Sequence, residues 1–389
     1  MILKYALLLL CLVTIPPAFA EQPAAVEFYY KDQISHIKTR DGNVYLKPEL
    51  RVQSRFSTPF ETNPTSLEGL DEESSSFEIN RARFKVGGHA VKPWLKIKFE
   101  YDLKNSTLLD ARITLAQYEA FQFRFGRMKA HYNPERVTSS KDMTLAERSM
   151  VNDYFTLDRQ QGVSLLGRLD KGGTLDSNYW IDVFNGTGRT EGNDNTNVML
   201  VGRYQWNLLG EKLDTAMSDL ARRQQPAAYI AVAASENSSR YSGFNSDGGR
   251  QLPGFVDYGL DDQYDIEQWM LDGKYHYNGF SLQGEYHQKD VEDTVTDNTT
   301  AMRGWFIQSG FFPSSWLPSV PPQLELTARY ATVDTDNDGT ELSETLLGMN
   351  WYFFGHRNKI TADIGQYEVD EPLSRGDELR FRLQYDLSF

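Results

Sequence analysis

Apolar and polar residues alternate one by one over the last eleven positions of the chain, 379–389. The apolar set is Leu379, Phe381, Leu383, Tyr385, Leu387 and Phe389. A period of two predicts a β-strand with one apolar and one polar face. Such a strand fits a soluble sandwich with a core. It also fits a transmembrane barrel, whose apolar face meets lipid and whose polar face meets water.

The same alternation recurs along most of the chain and predicts about sixteen strands. They are placed at 44–57, 75–88, 94–104, 108–118, 120–128, 160–169, 176–185, 196–206, 227–235, 264–277, 279–288, 300–312, 322–334, 341–354, 358–369 and 377–389. The polar faces are often charged, as at Lys96, Lys98 and Glu100. A packed core cannot bury so many charges, whereas a water-filled lumen can. We therefore predict an all-β fold, a transmembrane antiparallel β-barrel, over residues 44–389.

The connections between these strands are of two lengths. Short ones lie near 91–93, at Glu119 and at 278–279. Longer polar ones are predicted at 58–74, 236–263, 289–299 and 334–340. Short periplasmic turns opposite long outer loops are typical of bacterial barrels.

Two segments are not predicted to be strands. Residues 21–43 form a short polar N-terminal segment, which we place in the periplasm. Residues 129–158 form a connection of about 30 residues, with a weak helical stretch near Thr144–Val151. Loops this long are usually functional. In a barrel, this loop is expected to fold into the lumen and narrow the channel.

The first twenty residues are typical of a secretory signal peptide. Lys4 provides the positive start, Tyr5–Ile15 is apolar, and Ala18-Phe19-Ala20 is a cleavage signal. We predict cleavage after Ala20. Cys11, the only cysteine, lies within this segment, so a mature chain lacks disulfides, thiol catalysis and thiolate metal ligands.

Three features of the composition bear on the fold and the function. A mean hydropathy of -0.53 suggests a soluble protein, but alternating barrel strands never produce a continuous apolar run. The formal net charge of -14 argues against a nucleic-acid partner. An aromatic content of 13% fits either interfacial girdles or an aromatic-rich β-sandwich.

Basic residues of one strand parity are the candidate functional groups. Arg81, Arg83 and Lys85 share one face, and four further residues have the parity to join them. These are Arg51, Arg55, Arg112 and Arg124. Arginine offers phosphate a planar fork and lysine offers a point charge, so a row of both would guide an anion through water. The alternative is a set of wall charges paired with Glu78, Glu100 or Asp102.

The long loop contributes a second basic set with the same two interpretations. Its members are Lys129, Arg136, Lys141 and Arg148. They would either place positive charge at a constriction or form ion pairs with Glu135, Asp142 and Glu147. The sequence does not distinguish these two roles.

Motifs for catalysis and metal binding are weak. Asp334–Gly339 resembles the start of a calcium loop, but the twelfth position is Thr345 rather than glutamate. An acidic hairpin is favoured over a weak calcium site. The histidines form no zinc pattern, and no P-loop, dinucleotide-binding or G-x-S-x-G motif is present. We predict no enzymatic activity, no cofactor and no metal.

Six ordered segments resemble the phosphate-selective porin O and P family. They are FEINRAR at 77–83, FEYD at 99–102, FGRMK at 125–129, TSS at 138–140, ERS at 147–149 and RQQGV at 159–163. The resemblance covers about residues 44–186 and the last strand. It implies a sixteen-stranded trimeric outer-membrane barrel with an inward loop, a basic lumen, and passage of phosphate or similar anions.

The leading hypothesis is therefore an outer-membrane porin of a Gram-negative bacterium. It would contact outer-membrane lipid and lipopolysaccharide, assemble as a homotrimer, and pass small anions such as phosphate or polyphosphate. One alternative is a general or weakly cation-preferring porin, which the net charge favours. The other is an exported β-sandwich binding or adhesion protein, whose migration in detergent gels would not change on boiling.

Overall fold

A computed structural model describes residues 26–59, 62–70, 74–189, 192, 196–335 and 339–389. The described residues form twenty strands and three short α-helices. The strands are β1 Val26–Lys31, β2 Ile34–Thr39, β3 Tyr45–Thr58, β4 Ser76–His89, β5 Leu95–Asp102, β6 Thr107–Tyr118, β7 Phe121–Lys129, β8 Arg159–Leu169, β9 Ser177–Phe184, β10 Met199–Leu209, β11 Ala227–Ser239, β12 Gly243–Asn245, β13 Gly248–Arg250, β14 Tyr264–Tyr277, β15 Phe280–Asp293, β16 Asn298–Phe311, β17 Leu324–Thr335, β18 Thr340–Tyr352, β19 Asn358–Glu371 and β20 Ser374–Ser388. The helices are α1 Leu67–Leu70, α2 Pro134–Val137 and α3 Met150–Phe155.

Sixteen of these strands close into one antiparallel barrel, as predicted. Strands β3–β11 and β14–β20 pair with their neighbours in sequence, apart from the small hairpin β12–β13. The last strand returns to the first: β20 pairs with β3 from Phe381↔Thr58 to Ser388↔Arg51. Closure gives every barrel strand two partners, which leaves no open edge among them.

The two faces of each strand differ as the alternation predicted. On β20, Arg380 and Arg382 are each 1% exposed, whereas Leu379 is 54% exposed and Leu383 is 44% exposed. Charged side chains thus point into the barrel and apolar ones point out of it. This arrangement suits a wall between lipid and a polar lumen.

The N-terminal segment corrects one expectation. Residues 26–39, predicted to lack strands, form the hairpin β1–β2, whose turn residues Asp32 and Gln33 both have positive φ. The prediction missed it because Asp-Gln is a weak signal for such a turn. Strand β2 continues onto β3 through Ile37↔Leu46 and Lys38↔Tyr45. Residues 1–20, the predicted signal peptide, lie outside the described residues.

One predicted long loop is wrong, and another is shorter than predicted. Strand β15 continues to Asp293 and β16 begins at Asn298, so the expected loop 289–299 is a short turn. Similarly, β17 ends at Thr335 and β18 begins at Thr340, so the connection between them is short. Outward acidic residues suggested loops there, but a strand that continues beyond the lipid tolerates them. Residues 336–338, half of the calcium-like motif at 334–339, lie outside the described residues.

The ends of the barrel also differ from the expected pattern. Connections 90–94, 119–120 and 278–279 are short, as predicted, and define the short-turn end. Two longer connections, 210–226 and 312–323, lie at that same end. Within the described part of the chain, no helix is long and apolar enough to cross a membrane.

Candidate functional site: the lumen and its inward loop

The loop between β7 and β8 folds into the lumen, as predicted. Its helix α3, Met150–Phe155, lies a few residues further along the sequence than the helical stretch expected near Thr144–Val151. Val151 and Phe155 of α3 are fully buried and belong to one apolar cluster with Phe306 and Val333 of the barrel wall. These wall residues stand where polar lumen residues were expected. The apolar cluster therefore fixes the loop against one side of the barrel.

Polar anchors continue this attachment. The Arg329 guanidinium donates to the carbonyl oxygens of Glu147 at 3.0 Å and Arg148 at 3.1 Å. The Ala146 N–H donates to the Asp363 carboxylate at 2.8 Å, and Asn350 donates to the Thr144 carbonyl at 2.7 Å. Buried backbone groups of the loop thus find partners on β17–β19, as burial away from water requires.

The connection 210–226 enters the lumen from the short-turn end and meets the same loop. Thr138 donates to the Thr215 carbonyl at 2.7 Å, and the Met217 N–H donates to the Asp142 carbonyl at 3.0 Å. The Lys274 ammonium lies 3.1 Å from the Thr215 carbonyl oxygen. The inward loop is consequently held both by the barrel wall and by the 210–226 connection.

The water-exposed part of the lumen wall lies along β4–β7. The side chains of Arg83 and Lys85 are each 13% exposed, and that of Lys98 is 35% exposed. Arg51, by contrast, is fully buried. The apolar cluster of the inward loop packs against β14–β19, and these partly exposed cations of β4–β7 lie outside that packed region.

Acids accompany the first part of the basic row. Arg83 pairs with Glu100 at 3.2 Å, and Lys85 lies 3.7 Å from Glu49. Lys98 pairs with Asp110 at 2.5 Å. These contacts match the alternative of paired wall charges. These cations nevertheless keep part of their surface exposed.

Further along the wall, the cations lack such partners. Within the described ranges, neither Arg112 nor Arg124 has a carboxylate within 4.0 Å, and Lys96 is exposed without an ion pair. Lys98 is the cross-strand neighbour of Arg112, and Lys96 that of Thr114. Thr114 in turn faces Arg124 across β6–β7. Lys96, Arg112 and Arg124 form the lumen's basic cluster together with Lys98, the one member that is paired with an acid among the described residues.

A histidine separates Arg124 from the nearest acid. Arg124 donates to Nε2 of His131 at 2.7 Å, and Nδ1 of the same ring lies 3.1 Å from Asp182. An imidazole that accepts at Nε2 must donate at Nδ1, so this geometry fits neutral His131. The positive charge of Arg124 is therefore not cancelled by direct contact with a carboxylate.

Three predicted site residues are buried and hold the loop. Arg51 contacts Asp386 and donates to Ser140 at 2.7 Å. Arg55 donates to the Ala146 carbonyl at 2.6 Å. Arg148 donates to the carbonyl of Glu135 at 3.0 Å. Their geometry is that of loop anchors.

Three further predicted residues lie on or beside the loop itself. The Lys129 ammonium donates to the Arg136 carbonyl at 2.6 Å, at the end of α2. Lys141 pairs with Asp142 at 2.6 Å and keeps 18% of its side chain exposed. Arg136 pairs with Asp158 at 2.6 Å. Ion pairing and partial exposure therefore coexist in this loop.

Glu147 joins the loop to the basic row. Its carboxylate lies 3.0 Å from Arg55 and 2.9 Å from Arg81. Burial acts to raise the pKa of Glu147, but the charges of Arg81 and Arg55 hold it well below its usual value. The carboxylate consequently stays charged and neutralises part of the Arg81 charge.

Sequence reasoning omitted Lys96 and Lys98 from the candidate residues. The signal that would have found them was available, since both share the inward parity of Glu100 in β5. It also gave no role to Trp180, an indole on the inward parity of β9. The alternation marks which face a residue lies on, but not which neighbours it meets.

Comparison with known proteins agrees with this architecture. The sequence model of the phosphate-selective porin O and P family matches residues 53–225 and 256–387. The chain belongs to this family. No curated relative matches the chain at a significant level.

Solved porins share the fold at low identity. The anion-selective porin from Comamonas acidovorans is 11% identical with a TM-score of 0.57, covering 88% of this chain and 99% of that one. OmpF of Salmonella typhi is 13% identical with a TM-score of 0.56, covering 93% and 100%. The trimer form of OmpT of Vibrio cholerae is 11% identical with a TM-score of 0.54, covering 88% and 99%. This porin-family chain is therefore an outer-membrane channel protein.

Proposed function

We propose that this family member passes small anions of the phosphate class by diffusion between its inward loop and the β4–β7 wall. The observation that carries the proposal is the basic cluster of Lys96, Lys98, Arg112 and Arg124, in which Arg112 and Arg124 have no carboxylate within 4.0 Å in the described structure. The family's description and the anion-selective porin of similar fold support the same direction.

The proposed mechanism is electrostatic guidance without chemistry. Arg81, Arg83 and Lys85 begin the path, and the basic cluster continues it. Inward residues of one strand are about 7 Å apart, so an anion can leave one cation as it approaches the next. Conduction requires sites that attract the ion and still release it. Acidic neighbours such as Glu100 weaken the first sites and favour release.

Arg51, Arg55, Lys129, Lys141 and Arg148 take a different part in this proposal. They shape the passage by holding the inward loop, and partly exposed Lys141 adds positive charge beside it. No reaction and no cofactor enter the mechanism. We also propose cleavage after Ala20, assembly as a homotrimer as in the OmpT trimer form, and contact with lipid and lipopolysaccharide.

A general porin is the second candidate. Arg81, Arg83 and Lys85 each lie close to an acid, and the whole chain carries a formal net charge of -14. If these pairs cancel the field of the basic cluster, the lumen has little preference for either sign.

The reversal potential in a planar bilayer tests the proposal. Across a KCl gradient, the wild-type channel is expected to reverse near the chloride limit, and phosphate is expected to reduce the current. The double variant Arg112→Gln and Arg124→Gln should move the reversal potential toward zero, because it removes the uncompensated charges. Arg303→Gln, an exposed residue paired with Asp334, is the matched control and should leave it unchanged.

A wild-type reversal potential near zero or toward the potassium limit would contradict the anion pathway and leave a general porin. An unchanged potential in the double variant would remove the basic cluster from the pathway.

A further inference from the structure

An aromatic side chain stands on the polar face of the lumen wall. Trp180 of β9 alternates with inward Asn178 and Asp182, and its cross-strand neighbours are Leu166 and Arg203. Its indole is only half-buried. Inward positions on this wall are otherwise mainly polar, so Trp180 offers solutes a contact of a different kind.

The surroundings of Trp180 combine rings and cations. Its ring stacks on His131, with centroids 5.8 Å apart and planes 20° from parallel. The Arg203 guanidinium lies 5.9 Å from the indole centroid, and the Lys212 ammonium lies 6.0 Å from it. Since Arg124 donates to the same His131 ring, this arrangement adjoins the basic cluster.

A cavity of about 140 Å³ opens beside this indole. Pro134 and Val137 of α2 and Leu213 of the 210–226 connection supply apolar walls. An engineered apolar cavity of about 150 Å³ accepts benzene, so one six-membered ring fits a space of this size. The cavity thus has room for a ring but not for a large molecule.

The charges around the cavity select the ligand's polar group. Arg203 is paired with Asp272 at 2.6 Å, whereas exposed Lys212 has no carboxylate within 4.0 Å in the described part of the chain. Asp214 also lines the cavity and carries a negative charge, but its carboxylate accepts the Ala216 N–H at 3.0 Å and is not within 4.0 Å of the Lys212 ammonium. Lys212 is therefore the cation of the described lining without a contacting carboxylate, and it favours a ligand with a single negative charge.

We propose that this cavity is a binding subsite for small aromatic monocarboxylates. The ring would occupy the space between Trp180, Val137 and Leu213, while the carboxylate pairs with Lys212 at the open side. Contact between aromatic rings favours an aromatic ligand over an aliphatic acid of equal charge. The subsite rests on the proposed anion pathway, since Arg124 delivers the ion to its edge, and it extends the solutes beyond phosphate.

Current block by benzoate tests the subsite, with acetate as the probe of equal charge and no ring. Full-length protein is placed in planar bilayers, and benzoate or acetate is added on the short-turn side at millimolar concentrations. Benzoate is expected to reduce the potassium chloride current at concentrations where acetate does not. Trp180→Ala and Lys212→Gln should each raise the half-blocking concentration about fivefold or more.

Matched controls come from the neighbouring strand β10 and from the β8–β9 turn at the same end of the barrel. Trp206→Ala removes an exposed outward indole of β10, and Lys171→Gln removes an exposed turn lysine paired with Glu119. Benzoate should block the current through both variants at the same concentrations as in the wild type. Equal block by benzoate and acetate, or unchanged block in Trp180→Ala, would overturn the subsite.

The wild-type reversal potential, measured in the same membranes, separates the two proposals. Benzoate-specific block that Trp180→Ala weakens supports the subsite even if the channel prefers neither ion. An anion-selective channel without this block would refute the subsite and still support the anion pathway.

Discussion

At the scale of single residues, the lumen contains cations of two kinds. Arg51 and Arg382 are 0% and 1% exposed, and each is paired with a carboxylate of a neighbouring strand. Arg112 and Arg124 keep part of their surface open to water and have no such pair in the described structure. Burial of a charge is tolerated only with a partner, so the first kind contributes structure. The second kind remains available to a passing ion.

Arg51→Met is expected to destabilise the barrel by about 3–5 kcal/mol, because Asp386 then stays buried without its charged partner. The temperature at which the folded gel band disappears measures this loss. Arg303→Met, which breaks an exposed pair, should cost about 0–1 kcal/mol and provides the control. Equal melting of the Arg51→Met variant and the wild type would show that the buried pair contributes nothing.

At the scale of elements, the inward loop is built to stay in one place. Its helix α3 packs into an apolar cluster, while carbonyls on the preceding segment accept from Arg329 and Asn350. The 210–226 connection supports it from the short-turn end. An element with this many buried contacts opens rarely, so a passage of constant width is expected.

Arg329→Met should loosen this loop, because it removes the donor to the Glu147 and Arg148 carbonyls and leaves Glu344 unpaired. Single-channel recordings are expected to show larger conductance and frequent stepwise fluctuations. Lys104→Met removes an exposed ion pair with Glu78 and should show the conductance and steadiness of the wild-type channel. A quiet Arg329→Met channel of normal conductance would contradict the anchoring role.

At the scale of the whole molecule, closure of the ring decides stability. Strand β20 covers the edges of both β19 and β3, whereas among the described residues β1–β2 joins the sheet through two residue pairs with β3. Unpaired backbone groups in lipid cost several kcal/mol each, so no barrel strand can be left out. The hairpin is outside this ring.

Removing residues 374–389 should abolish the heat-sensitive gel band that marks a folded barrel, because β3 and β19 then lose their partner. Removing residues 26–39 should preserve that band. Detergent gels of boiled and unboiled samples make the comparison. A folded band after loss of β20 would contradict closure by this strand.

The sequence by itself determined the strands, the barrel and the parity of the basic row. These follow from a repeat of two residues, which is local and survives in any register that keeps one face toward lipid. The same local reasoning missed the β1–β2 hairpin, whose turn signal is weak, and misread acidic strand ends near Asp290 as loops.

Only the tertiary structure decided which cations are paired. Arg51 meets Asp386 from the far end of the chain, and Arg81 meets Glu147 of the inward loop. The apolar side of the lumen and the cavity beside Trp180 likewise depend on where that loop docks. Partners separated this widely in sequence are brought together by ring closure and loop packing, and neither leaves a periodic trace along the chain.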